Sequence, residues 1–310
     1  MTVLHPDTDL VSAIVAGLFG LLAGSFANVV IHRVPLEQSI VFPPSRCPRC
    51  QAAIKPWQNI PLISWLLLRG RCANCREPIS ARYPFVEALH GAGFAAIALR
   101  YGVTPFAPAL MAFFSALCIL AFIDWDHQIL PDVITLPGIA LAVALTFIPG
   151  SLVTWKEALG AAVIGYGGFF AVAEGYSRLR GIEGLGQGDW KLAAMMGSVL
   201  GGRRLLLAIL LASISGTIFG LAQALRQRRN PEPSQFADET PAAVSPDLAP
   251  EVLAASEPAP NAADAEVGPP GPSPIGQHRL PFGTFLAAAA VFVLFFGDET
   301  LDWYSSLFRF

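Results

Sequence analysis

Residues 11–31 read Val11-Ser-Ala-Ile-Val-Ala-Gly-Leu-Phe-Gly-Leu-Leu-Ala-Gly-Ser-Phe-Ala-Asn-Val-Val-Ile31, an apolar run without a charged side chain. A helix needs roughly 20 apolar residues to cross a bilayer, within a range of about 17 to 25. The run is therefore read as a membrane span. It is longer than the apolar core of a cleaved signal peptide, and Met1–Leu10 lacks the basic residues that open one. The expectation is a retained first span with its acidic N-terminal end outside.

The remainder of the chain supports that reading. Only 14% of its residues are charged, against about 25% in ordinary globular chains, which excludes an ordinary soluble domain. Further apolar stretches fall near 84–101, 107–124, 133–149, 158–176, 191–202, 204–224 and 282–297. The expected fold is an all-α polytopic membrane protein with about eight transmembrane helices. The sixth, short and rich in glycine, is expected to be tilted, half-buried or merged with its neighbour.

Between the first two spans, residues 31–83 carry Arg33, Arg46, Arg49, Lys55, Arg69, Arg71, Arg76 and Arg82 against Glu37 and Glu77. A basic surplus in a loop marks the cytoplasmic side of a membrane protein, and we read it so in preference to a nucleic-acid surface. Arg203 and Arg204 would then stand outside, against the rule, while Arg226, Arg228 and Arg229 stand inside. Five regions follow: a first span at 11–31, a cytoplasmic loop domain at 32–83, a transmembrane core at 84–224, a linker at 225–280, and a last span and tail at 281–310. The linker is dense in Pro, Ala, Ser and acidic residues from 230 onward. Such a composition cannot bury enough apolar surface to offset its ordering entropy, so a disordered cytoplasmic segment is expected.

The loop domain carries Cys47-Pro-Arg-Cys50 and Cys72-Ala-Asn-Cys75. Each pair bends back so that two thiolates reach one ion, and two such knuckles complete a tetrahedral zinc site. A reducing cytoplasm argues against disulfides. Four thiolates leave no open position, so the ion is structural: it folds a loop too small for a large core. Cys118, alone in the third span, reads as a packing residue.

Two acidic clusters carry the chemistry. Asp189 lies in Gly186-Gln187-Gly188-Asp189-Trp190-Lys191 at the start of the sixth apolar stretch, and Asp124-Trp125-Asp126 ends the third. Carboxylates near lipid depth are costly to keep and mark functional sites by default. Gly186 and Gly188 permit unusual dihedrals and close approach. Counting spans puts Asp124 and Asp189 at the cytoplasmic ends of their helices, at similar depth. A carboxylate pair of that kind, one ionised and one protonated, activates water against a peptide carbonyl. Asp126 is expected to be solvated or to support the pair. Asp132, after Pro131, is expected as a helix N-cap.

These residues together resemble a known family, the bacterial prepilin peptidases, which are type IV leader peptidases and N-methyltransferases of pilus and type II secretion systems. The matching segments are Gly24-Ser-Phe-Ala-Asn28-Val-Val-Ile-His32-Arg33, both cysteine knuckles, and Pro78-Ile-Ser-Ala-Arg82-Tyr83-Pro84-Phe-Val-Glu87. They continue with Ile123-Asp124-Trp-Asp126-His-Gln-Ile-Leu-Pro131-Asp132-Val-Ile-Thr135, Glu183-Gly-Leu-Gly-Gln-Gly188-Asp189-Trp-Lys191-Leu192, and Leu280-Pro-Phe-Gly283. They cover nearly the whole chain except 230–280. The resemblance implies an aspartic endopeptidase of the bacterial cytoplasmic membrane with Asp124 and Asp189 as catalytic pair. Gly186, Gly188, Lys191, Asp126 and Asp132 would support it. The substrates it implies are prepilins or pseudopilins, cut after the glycine that ends a short basic leader and then methylated from S-adenosylmethionine. The family often has Gly-Lys before the third cysteine, a feature associated with methylation; here it is Gly70-Arg71.

Two other function classes fit parts of the pattern. A proton-coupled transporter would use Asp124 and Asp189 as a relay, though such carboxylates more often sit near the bilayer midplane. A zinc-bearing assembly scaffold would need neither aspartate.

Overall fold

The computed structural model describes residues 10–181, 186–229 and 281–307. They belong to two units, Met1–Thr217 with Pro281–Phe310, and Ile218–Leu280. The helices are α1 (Leu10–Arg33), α2 (Ile63–Leu67), α3 (Arg82–Tyr101), α4 (Ala107–His127), α5 (Asp132–Leu145), α6 (Trp155–Arg180), α7 (Gln187–Leu200), α8 (Gly202–Arg229) and α9 (Phe282–Ser306). Two isolated bridges, Arg46 to Ala53 and Arg71 to Pro78, are the β pairing among the described residues.

Every expected span coincides with a helix, but they are not alike. Among the described residues five helices, α1, α4, α6, α8 and α9, are long and apolar enough to cross a membrane, which makes the chain a multi-pass membrane protein. The expected count of about eight is therefore not reached by length and composition. α3 is long enough yet carries Arg82, Glu87, His90 and Arg100. α5 and α7 have 14 residues each, about 21 Å at 1.5 Å per residue, short of a hydrocarbon core of about 30 Å. Ten of the 14 residues in α7 are buried, so its apolar character serves protein packing, a use that hydropathy alone cannot tell from lipid exposure. α8 runs through Arg229, so the first residues of the expected linker are helical. The remainder, 230–280, lies outside the described residues.

Local sequence explains where the helices begin. Thr154 caps α6 by accepting from the Glu157 amide while the Glu157 carboxylate accepts from the Thr154 amide; losing such a cap costs about 1 kcal/mol. Pro108 occupies the first turn of α4, where its missing N–H costs nothing.

Packing joins α1 to α3, α6 to α7, α4 to α9 and α5 to α7. Membrane helices lack a hydrophobic drive toward one another, so small residues that admit close contact decide such interfaces. On α1 a Cβ at Gly24 would lie 2.7 Å from the Glu87 Cα, which only glycine avoids. The central core gathers Phe114, Leu117, Leu192, Met196, Leu205 and Leu286. Outward-facing side chains such as Leu18, Phe19 and Leu22 on α1 and Val163 and Ile164 on α6 stay exposed, as lipid-facing positions should.

Ion pairs tie both ends of the bundle. Arg82, at the start of α3, pairs with Asp126 at the end of α4 at 2.6 Å. At the opposite ends of α3 and α9, Arg100 meets Glu299 at 2.6 Å and Arg204 meets Asp298 at 2.7 Å. The pairing of Arg204 neutralises one of the two arginines that ran against the expected charge rule.

Candidate active site and metal centre

Asp124 sits in the last turn of α4 and Asp189 in the first turn of α7. Each is buried, at 5% and 8% exposure. Leu130 lies between their surroundings, against Gly188 beside Asp189 and against Gly283, whose Cβ position also meets Asp124 Oδ2. The two aspartates singled out in the sequence, 65 positions apart by residue number, are thus brought together from opposite helix ends.

Asp124 is held from α9. Its Oδ2 accepts from the Thr284 amide at 2.6 Å and from the Thr284 hydroxyl at 3.0 Å. This amide lies in the first turn of α9, at the positive end of the helix dipole, and is shared between Asp124 Oδ2 and the Pro281 carbonyl at 3.2 Å. Leu130, in the connection after α4, fills the space between the two acidic helices and α9. A Cβ at Gly188 would fall 2.8 Å from Leu130 Cβ, and one at Gly283 would fall 2.9 Å from Leu130 Cδ1 and 3.0 Å from Asp124 Oδ2. Both glycines are there because no side chain fits. Gly186 is the N-cap of α7 with ordinary extended dihedrals, and its carbonyl accepts the Asp189 amide at 3.1 Å.

The other acidic residues take separate places. Asp132 was expected to cap α5; instead Pro131 is the N-cap and no side chain supplies a capping bond. The Asp132 carboxylate turns to Lys191 Nζ, 2.7 Å from each oxygen. The reason is charge: an ammonium within reach outbids a neutral amide for a carboxylate. Asp126 is not simply solvated, since Arg82 pairs with it and that guanidinium also lies over the Phe122 ring, 4.8 Å from its centroid. Arg82 closes the cysteine loop, so this pair places the base of the loop and the Asp124 turn at one end of the bundle.

The cysteine loop consists of two similar knuckles. In the first, the Gln51 amide donates to the Cys47 carbonyl; in the second, the Arg76 amide donates to the Cys72 carbonyl. Gln51 and Arg76, each just after its second cysteine, share a left-handed backbone at φ 57° and 63°. Arg49 of one knuckle pairs with Glu77 of the other at 2.8 Å. The four sulfurs of Cys47, Cys50, Cys72 and Cys75 all lie within 4.8 Å of one another and could hold a metal ion. A tetrahedron with Zn–S bonds of about 2.3 Å has edges of about 3.8 Å, and Cys47 Sγ stands 3.8 Å from Cys75 Sγ. The donor set and its size fit zinc. Asn74, whose side-chain amide donates to Cys50 Sγ at 3.6 Å, helps draw that thiol down to about 6. Although the Glu77 amide favours its thiolate, desolvation and the neighbouring sulfurs hold Cys75 up at about 11.

Gly70 and Arg71 belong to this loop. Gly70 follows α2 in the left-handed region at φ 65°, with a Cβ position 2.9 Å from the Trp65 ring; backbone and ring together favour glycine there. Arg71 forms the bridge to Pro78 that opens the second knuckle.

A cavity of about 500 Å³ runs beside the acidic site, lined by Leu117, Cys118, Ala121, Ala287 and Val291, with Arg82, Asp126 and Thr284 at its polar end. Its mostly apolar wall suits an apolar segment. It does not fit S-adenosylmethionine, whose charged groups and nucleoside need polar partners along their length.

Sequence reasoning missed Thr284, Gly283 and Leu130. Leu280-Pro-Phe-Gly283 entered only as a matching segment, and Thr284 follows it directly. The partner of Thr284 is 160 residues away, beyond the reach of any local spacing rule.

Helices of membrane length, two buried aspartates at helix ends and a four-cysteine loop that could hold a metal ion define a polytopic membrane protein. Comparison with known proteins gives the lineage. Residues 18–101 match the model of the bacterial peptidase A24 N-terminal domain and residues 111–221 that of the type IV leader peptidase family. A prepilin leader peptidase/N-methyltransferase of Myxococcus xanthus is 44% identical over 232 residues, covering 74% of this chain and 69% of the relative. One of Stutzerimonas stutzeri is 36% identical over 72% of this chain and 84% of its own. One of Aeromonas hydrophila is 31% identical over 94% and 93% respectively. No solved structure matches the chain. The chain belongs to the type IV leader peptidase family.

Proposed function

We propose that this protein removes the leader from prepilins or pseudopilins at the cytoplasmic face of the bacterial inner membrane, with Asp124 and Asp189 as its carboxylate pair, and methylates the new N-terminus. The reading rests on one observation above the rest: two buried aspartates at the ends of different helices, with Leu130 packed between Gly188 beside Asp189 and Gly283 beside Asp124. Like charges at short range do not both ionise readily, so such a pair shares a proton. One carboxylate takes a proton from the attacking water as the water oxygen bonds to the scissile carbonyl carbon. The other gives its proton to the carbonyl oxygen. Collapse of the tetrahedral adduct breaks the C–N bond, and the leaving amine regains a proton from the pair.

The surroundings support this. Thr284 lines the apolar cavity and also touches Asp124; a substrate's apolar segment lying there would bring its leader junction toward that carboxylate. The loop's basic surplus favours a cytoplasmic position for this end of the bundle. Cys47, Cys50, Cys72 and Cys75 would hold zinc, which when bound folds the loop. We assign methylation, with S-adenosylmethionine as donor, to the 32–83 loop with Gly70 and Arg71. The relatives' names, prepilin leader peptidase/N-methyltransferase, favour the two activities together, and none of the matches speaks for a transporter.

The test is mass spectrometry of a co-expressed prepilin with Asp124→Asn and Asp189→Asn variants. Asparagine keeps size and hydrogen bonding but cannot exchange the proton. Each variant should insert normally and leave the leader uncut; near-normal processing by either one would overturn the assignment.

A further inference from the structure

Thr284 touches Asp124 in a way that the reaction proposed above does not yet use. Its amide points at Oδ2 from 2.6 Å. Its hydroxyl has two acceptors at the same distance, Asp124 Oδ2 at 3.0 Å and the Ala121 carbonyl at 3.0 Å. A hydroxyl owns one hydrogen and can donate to one acceptor at a time, while its lone pairs can accept. Two equidistant acceptors for one hydrogen are a two-position arrangement. One acceptor is a backbone carbonyl of fixed character; the other is a carboxyl group whose character changes with its proton.

We propose that Thr284 is a positioning residue for Asp124, its hydroxyl changing acceptor as Asp124 gains and loses a proton during turnover. With Asp124 ionised, the hydroxyl and the amide both donate to Oδ2, and the carboxylate is held in one orientation. When Asp124 carries its proton on Oδ2, that O–H donates to the Thr284 oxygen and the Thr284 O–H rotates to the Ala121 carbonyl. Nothing leaves Thr284: only the C–O torsion moves, so the carboxyl keeps a suitable partner in both states without reorganising the helices. Preorganisation of that kind acts on the chemical step, because the dipoles are already in place when charge moves. Ala121 and Asp124 are one turn apart on α4, which is why one side chain from α9 reaches both. Gly283, just before Thr284, lets α9 come this close.

This inference rests on the assignment of Asp124 as a catalytic carboxylate, and the experiment separates the two. The full-length enzyme is assayed for prepilin cleavage as wild type and as Thr284→Val, Thr284→Ser and Asp124→Asn. Valine matches threonine in shape and keeps the amide but cannot donate; serine restores the hydroxyl. The expected result is a kcat about tenfold lower for Thr284→Val with KM unchanged, the size of effect one hydrogen bond to a charged group can exert, and a return to within about twofold for Thr284→Ser. Thr284→Ala gives the same readout should the valine variant fail to accumulate. Wild-type kcat in the hydroxyl-free variants, equal impairment of the serine variant, or a rise in KM with kcat held would each overturn the role of the hydroxyl. If Asp124→Asn cleaves normally, it is the catalytic assignment of Asp124 that fails.

Discussion

Lys191 holds both oxygens of Asp132 at 2.7 Å, fastening the first turn of α7 to the first turn of α5. Asp189 lies two residues before Lys191, so the pair fixes the helix end that carries it. Lys191 is largely covered and Asp132 about half exposed, and pairs of that kind contribute on the order of 1 kcal/mol or less. Lys191→Met and Asp132→Asn should each slow leader cleavage by a few-fold, and the double variant should be no worse than either alone. Steady-state kinetics of the three decide it. Complete loss of activity in Asp132→Asn would instead place Asp132 among the reacting carboxylates.

Leu130 is a wedge with a glycine on either side. Overpacking a tight site costs about 1–3 kcal/mol, and here the displaced neighbours are Leu130 and, at Gly283, also Asp124. Gly283→Ala should lower kcat by about tenfold or more, because its Cβ meets Asp124 as well as Leu130. Gly188→Ala meets Leu130 alone, first at its Cβ, so combining it with Leu130→Gly, which removes that atom, should restore activity more fully than the same change restores Gly283→Ala. Equal rescue would show that Asp124 is not crowded.

Metal content is predicted at about one zinc per chain, the stoichiometry of a single closed four-thiolate site. Cys72→Ser should lower it sharply in elemental analysis of the purified protein. The loop should then become sensitive to protease while Asp124 and Asp189, on other elements, keep their environment. Unchanged zinc in the serine variant would remove these four cysteines as ligands.

Methylation and cleavage should separate at Arg71. Gly70 is a poor probe, since any side chain there meets both an unfavourable backbone and the Trp65 ring. Arg71→Ala leaves the backbone bridge to Pro78 available and should yield a pilin that is cut but unmethylated, with zinc retained. Parallel loss of both modifications in one mass spectrum would make the loop part of a single substrate-binding unit.

The helices, the two knuckles and two buried aspartates at helix ends were legible because each has a local signature: apolar length, CxxC spacing, a carboxylate at the end of an apolar run. What escaped was relational. Hydropathy alone could not say that α7 is apolar because protein surrounds it, although its shortness and glycines already set it apart from the other expected spans. The capping rule applied to Asp132 gave way to an ammonium 59 residues away. Thr284 carries no signature at all; a threonine in the first turn of a helix is commonplace, and only the fold shows which carboxylate it faces.

That both of Asp124's donors come from Thr284, 160 positions downstream, bears on how the protein is made. Chains emerge from the ribosome N-terminus first, so a growing polypeptide places Asp124 and then Asp189 in the bilayer well before α9 follows. Until α9 inserts, Asp124 lacks both of the donors that Thr284 supplies, so the surroundings of that carboxylate are completed only when α9 joins the helices made before it.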